Sequence, residues 1–178
     1  MTKVDENVRI YGGVDDTLWL GPLGTTLPTT LGAPGAGFED VGYFGESGID
    51  KAREQSVSKF RAHQGGKVVR NKVTESGESI TFRTIEENGV TTALGETIVS
   101  ETVATGVRTR KMSTASEVKV RAGVLDLFDG TKQIRRVYPR LEITGGGNVT
   151  WSKDNLVERE FTAEIIGDYF ELEADPAA

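Results

Sequence analysis

His63 is the single histidine of this 178-residue chain, and cysteine is absent. Those two facts decide most of the available chemistry. A Ser-His-Asp arrangement would need His63 as its base. No Gly-x-Ser-x-Gly segment supplies the nucleophile, and His63 stands beside the turn signal Gln64-Gly65-Gly66. It reads as a ring at a strand end, on the surface or at an interface. Zinc fails on ligand count. Asp126 and Asp129 lack the spacing of a calcium loop, and Asp15-Asp16 reads as a solvated turn. Gly65-Gly66-Lys67 lacks both the upstream glycine and the Ser or Thr after Lys of a phosphate loop. No pair of acids stands out for glycoside hydrolysis, and 7% aromatic residues is thin for stacking sugars. Asn148-Val149-Thr150 matches a glycosylation sequon, read as chance because Met1 to Asn7 lacks the apolar run of a secretory signal. The residues therefore give no catalytic, cofactor or metal site.

Charge narrows the partners. The formal net charge is −6, a poor basis for gripping phosphate. The cations nonetheless cluster, at Arg108, Arg110 and Lys111 and again at Lys132, Arg135, Arg136 and Arg140. They read as solvated loops and strand faces, or as contacts with an acidic face of another copy. No apolar run is long enough for a membrane-crossing helix. Without cysteine the fold uses no disulfide.

The elements that must carry these residues are mostly strands. Twenty-two glycines with recurrent Thr and Val favour short strands and turns. Residues 1–8 read as a flexible arm. Arg9 to Tyr11 and Thr17 to Leu20 read as short strands. Residues 21–40, with three of the five prolines, read as a long loop. A short strand after Val41 is expected to end in a turn at Gly45 and Gly48. Val57 to Ala62, Lys67 to Thr74 and Glu78 to Ile85 then form three strands, joined at Gln64-Gly65-Gly66 and Glu75-Ser76-Gly77. Glu86 to Leu94 is the one helix, with Asn88 as its cap and Gly95 at its end. Residues 104–116 read as a mobile polar loop. Val118 to Val120, Val124 to Phe128, Gln133 to Ile143, Val157 to Ile166 and Tyr169 to Glu173 are further strands. Asp129-Gly130 signals a hairpin, Gly145-Gly146-Gly147 a break, and residues 174–178 a loose tail. About ten short strands and one helix make a mainly β single domain over 1–178, a sandwich or closed barrel. On the Val157 to Ile166 strand, Glu158, Glu160, Thr162 and Glu164 share one face, and Phe161, Ala163 and Ile165 the other.

The order of these segments resembles the tail tube proteins of long-tailed, siphovirus-type bacteriophages. The resemblance covers most of the chain. It rests on the loop Gly24-Thr25-Thr26-Leu27-Pro28, the strand and acidic turn from Val41 to Ile49, and Phe60 to Gly66. It continues through Val68-Val69-Arg70, Ile80-Thr81-Phe82, Ile85-Glu86-Glu87-Asn88 and the helix, then Pro139 to Thr144, Asn148 to Trp151 and Phe161 to Glu164.

The resemblance implies a tail-tube-type β-sandwich or barrel with one short α-helix and long loops, and no enzyme activity. It implies hexameric rings stacked around a tape-measure protein, between tail-tip and tail-terminator proteins, with no membrane partner. DNA would pass through without specific binding, in a virion assembled in the bacterial cytoplasm. Glu158, Glu160 and Glu164 are then candidates to face the lumen. Leu23, Thr25, Leu27 and Pro28 are candidates for ring stacking or subunit contacts, with Arg108, Arg110 and Lys111. Both loops are expected to order when a neighbouring ring arrives. Two other readings stay open: a tube subunit of a contractile tail or secretion machine, and a monomeric β-sandwich module for a small ligand or glycan.

Overall fold

A computed structural model describes residues 8–145 and 147–174. The expected arm (1–8) and tail (174–178) lie outside them, apart from Val8 and Ala174. Ten strands and one helix follow in the order β1 (Thr17–Pro22), β2 (Glu39–Asp40), β3 (Phe44–Arg61), β4 (Val68–Thr84), α1 (Gly89–Gly95), β5 (Thr97–Ala104), β6 (Val107–Ser113), β7 (Lys119–Asp129), β8 (Lys132–Gly145), β9 (Arg159–Ile165) and β10 (Phe170–Glu173). The main sheet runs β2-β1-β7-β8-β9-β4-β3, with β10 added to β8, and all its pairings are antiparallel. β5 and β6 form a separate hairpin.

β8 organises the core. β7 follows one of its edges, while the other takes β10 at residues 134–137 and β9 at residues 141–145. Between those two stretches the register with β7 slips, so that Ala122 opposes both Pro139 and Arg140. Proline has no N–H to give a ladder and is tolerated at such a bulge. The two halves of the sheet contribute to one cluster. Leu18, Leu20, Leu125 and Tyr138 come from one side of the bulge, and Ile80, Phe82, Leu141, Ile143, Phe161 and Ala163 from the other. This is a β-sandwich closed around its own bend. Phe82 and Phe161 stack 5.4 Å apart at its centre, and burying each large apolar side chain stabilises by about 1.5–3 kcal/mol.

α1 plugs the core with Leu94 and Val90. Asn88 caps it: its Oδ1 accepts from the Thr91 amide at 2.9 Å, and Thr91 Oγ1 accepts from the Asn88 amide at 3.0 Å. Asn88 Nδ2 also donates to the Val41 carbonyl at 3.0 Å, fixing the helix to the strand entry. The expected cap is present, though the helix starts after Asn88 rather than at Glu86.

Several boundaries differ from the sequence reading. Glu75-Ser76-Gly77 is no turn but lies inside β4, and Gly45 and Gly48 lie inside β3 at a register shift between Phe44 and Ile49. Two strands of 18 and 17 residues therefore replace the shorter runs. Glycine marks irregular pairing here, not chain reversal. Residues 104–116 are not a loop: β6 occupies Val107–Ser113, turning at Thr105-Gly106, because cross-strand pairing holds a segment whose side chains remain in water. β1 runs on to Pro22 and β2 begins at Glu39, so the loop shortens to 23–38. Residues 9–11 form no strand. β7 joins the two strands expected around Val120 and Leu125 into one.

Candidate functional site

Period-two alternation carries the core pattern to the opposite face of β8, β9, β4 and β3. Ile80, Phe82, Phe161, Ala163, Leu141 and Ile143 point inward. The residues between them point out, and the registers align them in rows. One row is Asp50, Thr81, Thr162 and Thr144; the next is Ala52, Ser79, Glu164 and Glu142. Arg83 lies opposite Glu160 in a third. Thr81 and Thr162 hydroxyls are 3.4 Å apart, and Thr144 Oγ1 donates to the Thr162 carbonyl at 3.3 Å. Arg83 pairs with Glu160 and Arg140 with Glu142, each at 2.5 Å. Glu164 has no ionic partner among the described residues and sits in register with another acid, Glu142. Such a face offers small hydroxyl-bearing residues in a field of carboxylates, which repels phosphate.

The sequence candidates fall on and beside this face. Glu160 and Glu164 belong to it. Glu158 lies one residue ahead of β9, with its carboxylate closed over Gly45, where an added Cβ would stand 2.8 Å from Oε1. Asp50 and Glu142 join the face through pairing registers that alternation within one strand does not reveal.

Beyond this four-stranded region the β3–β4 hairpin continues alone. β9 covers β4 only from Glu78 to Thr84, so Val68–Gly77 pairs with β3 and nothing else. The root is tied down. Glu78 takes Lys51 at 2.5 Å and also pairs with Arg53, while Lys51 Nζ donates to Tyr169 Oη at 2.6 Å and lies 4.9 Å from the centre of that ring. The hydrogen bond from Lys51, then that from Arg53, lowers the Glu78 carboxyl to about 2. Past the root, Val57, Phe60, Val69 and Val73 are exposed. From Gln55 to Thr74 there is no acid but five cations: Lys59, Arg61, Lys67, Arg70 and Lys72. His63 is exposed in the turn. The basic tip was missed in the sequence reading, although its signal, twenty residues without a carboxylate, was present.

The stacking candidates divide. Leu23 is half exposed. Leu27 packs instead against the cluster of Phe38, Ala122, Val124 and Val137. Thr25 Oγ1 donates to the Pro22 carbonyl at 2.7 Å, and Pro28 is half-buried. Arg108 and Arg110 both meet Glu101 of their own hairpin, at 3.5 and 2.6 Å, whereas Lys111 is exposed. Arg135, read as a solvated cation, is 2% exposed. Its Nε and Nη2 donate to the two Asp126 oxygens at 2.6 Å, and Nη1 donates to the carbonyls of Thr30 at 2.7 Å and Gly32 at 2.6 Å. The 23–38 loop is thus fastened to the domain within a single chain. The hairpin register explains why: with Asp129 opposite Lys132, Asp126 must oppose Arg135. Arg136 pairs with Glu171 on β10.

Among the described residues no helix is long and apolar enough to cross a membrane, and no cluster of three or more His, Asp or Glu side chains is placed to hold a metal. The family model described as "phage tail tube protein" matches residues 1–171 of the chain. No curated protein matches it.

Proposed function

The chain belongs to the phage tail tube protein family, and on that premise we propose that six copies close into a ring, with the outer face of β8-β9-β4-β3 turned to the lumen. Membership makes the protein a structural component of the virion that assembles into a tube, and not an enzyme. The proposal adds the ring, its orientation and its partners. Rings stack around a tape-measure protein between tail-tip and tail-terminator proteins, in a long non-contractile tail, and DNA leaves through the channel without specific binding.

One observation carries the orientation. The four-stranded face bears Thr81, Thr144, Thr162, Ser79 and a surplus of carboxylates, with no large apolar side chain in its two central rows. A wall that must let a polyanion slide needs that composition. Closure has its own support. β3 ends the sheet with one edge unpaired, and β4 has a free edge over residues 68–77. Unpaired edges of this length accept strands from another chain unless they are blocked. Pairing of the β3 edge of one copy with the β4 edge of the next is head-to-tail, and such a contact closes into a ring when its rotation permits.

The experiment is negative-stain electron microscopy of the purified protein over a range of concentration and salt, with and without tail-tip and tape-measure proteins. Hollow tubes or six-fold rings support the reading. Monomers under every condition, partners included, overturn it.

A further inference from the structure

Asn88 is one of five asparagines and the one followed by glycine; Asn7, Asn71, Asn148 and Asn155 precede Val, Lys, Val and Leu. Glycine has no side chain to shield its amide nitrogen, which is then free to attack the carboxamide before it. Gly89 is exposed, and an added Cβ there would meet nothing within 4 Å. Its amide opens α1, where the helix itself supplies no acceptor. What the fold restrains is the other reactant. The Asn88 carboxamide is held at both ends: Oδ1 accepts from the Thr91 amide at 2.9 Å, and Nδ2 donates to the Val41 carbonyl at 3.0 Å. Both anchors are fixed in turn. Thr91 and Val41 are fully buried; Thr91 Oγ1 donates to the Glu86 carbonyl at 3.0 Å, and the Val41 amide donates to the Leu18 carbonyl at 3.0 Å.

We propose that Asn88 is a self-modification site, shut by the native helix cap and opened when that cap is lost. The Gly89 nitrogen gives its proton to solvent base and bonds to Asn88 Cγ. The Cγ–Nδ2 bond breaks, Nδ2 leaves as ammonia with a proton from solvent, and a five-membered imide remains. Water then opens the imide: attack at Cγ leaves aspartate, and attack at the main-chain carbonyl leaves isoaspartate. Nothing is oxidised or reduced. Closing the ring draws Cγ onto the backbone, and a carboxamide tied at both ends makes that approach only by releasing Thr91 and Val41. Either product damages the joint. Aspartate still accepts from the Thr91 amide, since Asp caps a helix about as well as Asn. It has an oxygen where Nδ2 stood, so two acceptors face each other and the Val41 carbonyl loses its donor. Isoaspartate adds a methylene to the backbone between the cap and α1. A subunit that has once opened here is changed for good, and Val90 and Leu94 return to the core less firmly held. The chemistry belongs to the single chain and holds whether or not rings form.

The test incubates the full chain in mildly alkaline buffer, folded and in urea, and follows each asparagine by peptide mass spectrometry. In urea, conversion is expected at Asn88 well ahead of the other four asparagines. In the folded chain it should be roughly tenfold slower or more, because it waits on local opening. Equal rates in the two states overturn the proposal, and so does an unfolded chain that stays unconverted. Gly89→Ala has room for its methyl group and suits a helix better than glycine, so it should fold while losing most of the conversion in urea. Conversion of Gly89→Ala at the wild-type rate overturns attack by that nitrogen. Asn88→Asp reproduces one product directly and should melt several degrees below the wild type at neutral pH. An unchanged melting temperature overturns the claim that the modification loosens α1.

Discussion

The two halves of β4 differ in everything but their pairing with β3. From Glu78 to Thr84 the strand lies between β3 and β9, and Ile80, Phe82 and Thr84 are buried. From Val68 to Gly77 it has one neighbour, and Val69 and Val73 are more than half exposed. Apolar residues thus serve two ends along one strand. In the root they are spent on the subunit's own stability, and in the arm they remain available to another chain. A two-stranded ribbon is marginal in water by itself, so the arm depends on the root to hold its register.

The largest expected effect separates the halves directly. Phe82→Ala removes a fully buried ring that stacks on Phe161 and should cost about 3–5 kcal/mol in urea denaturation. Phe60→Ala, on the arm, should change monomer stability by no more than about 0.5 kcal/mol while tube formation falls. A large loss of monomer stability from Phe60→Ala would mean that the arm folds back onto its own domain, and the contrast would fail.

Next comes the loop latch. Arg135→Met leaves Asp126 buried without its partner and frees the carbonyls of Thr30 and Gly32. Breaking a buried pair on one side costs about 3 kcal/mol or more. Arg135→Met with Asp126→Leu should recover much of that, because no buried charge is then left alone. The loop should gain hydrogen exchange in both variants. Loop protection unchanged in Arg135→Met would show that Phe38 and Leu27 hold the segment without the latch.

These elements also show what was legible in the sequence. The tip turn, the Asn88 cap and the hairpin after Asp129 are local, and each rests on residues within a few positions of one another. So does the shared face of Phe161 and Ala163, because alternation needs only one strand; that it points inward came from the structure. Gly77 misled because glycine weakens a strand and ends one by the same lack of a side chain. The β5–β6 hairpin was passed over because its charges were read as a loop, although Val99, Val103 and Val107, exposed as they are, carry the β-branched signal of strands. The acids of the outer face were half legible: Glu160 and Glu164 came from alternation, but Asp50 and Glu142 needed the order of strands across the sheet. Arg135 was within reach through hairpin register, and counting cations by proximity in sequence passed over it.

At the junction of root and arm, acid should act selectively. Glu78 is held at about 2, below its ordinary value of 4.5, by hydrogen bonds from Lys51 and Arg53. A depressed carboxyl stabilises the folded state above its unfolded pKa, and that contribution disappears as pH falls from about 4.5 through about 2. The wild type should therefore melt higher than Glu78→Gln at neutral pH, with the gap closing across that window. A gap that persists below pH 2 would mean that Glu78 acts through shape or packing rather than through its charge.

The smallest effect has the opposite sign. Glu164 and Glu142 face each other across β9 and β8, and Arg140 neutralises only Glu142. Like charges in register destabilise a sheet by a few tenths of a kcal/mol, so Glu164→Gln should stabilise the monomer by about 0.2–0.5 kcal/mol at low salt. Added salt should erase the gain, because the pair is exposed and screened. In assembled tubes the same substitution removes one carboxylate per copy from the proposed lumen wall, and DNA ejection should slow. A residue that weakens its own fold and helps its channel is what a surface chosen for repulsion would carry. If Glu164→Gln instead destabilises the monomer, Glu164 serves the fold, and the face loses its clearest sign of being set against phosphate.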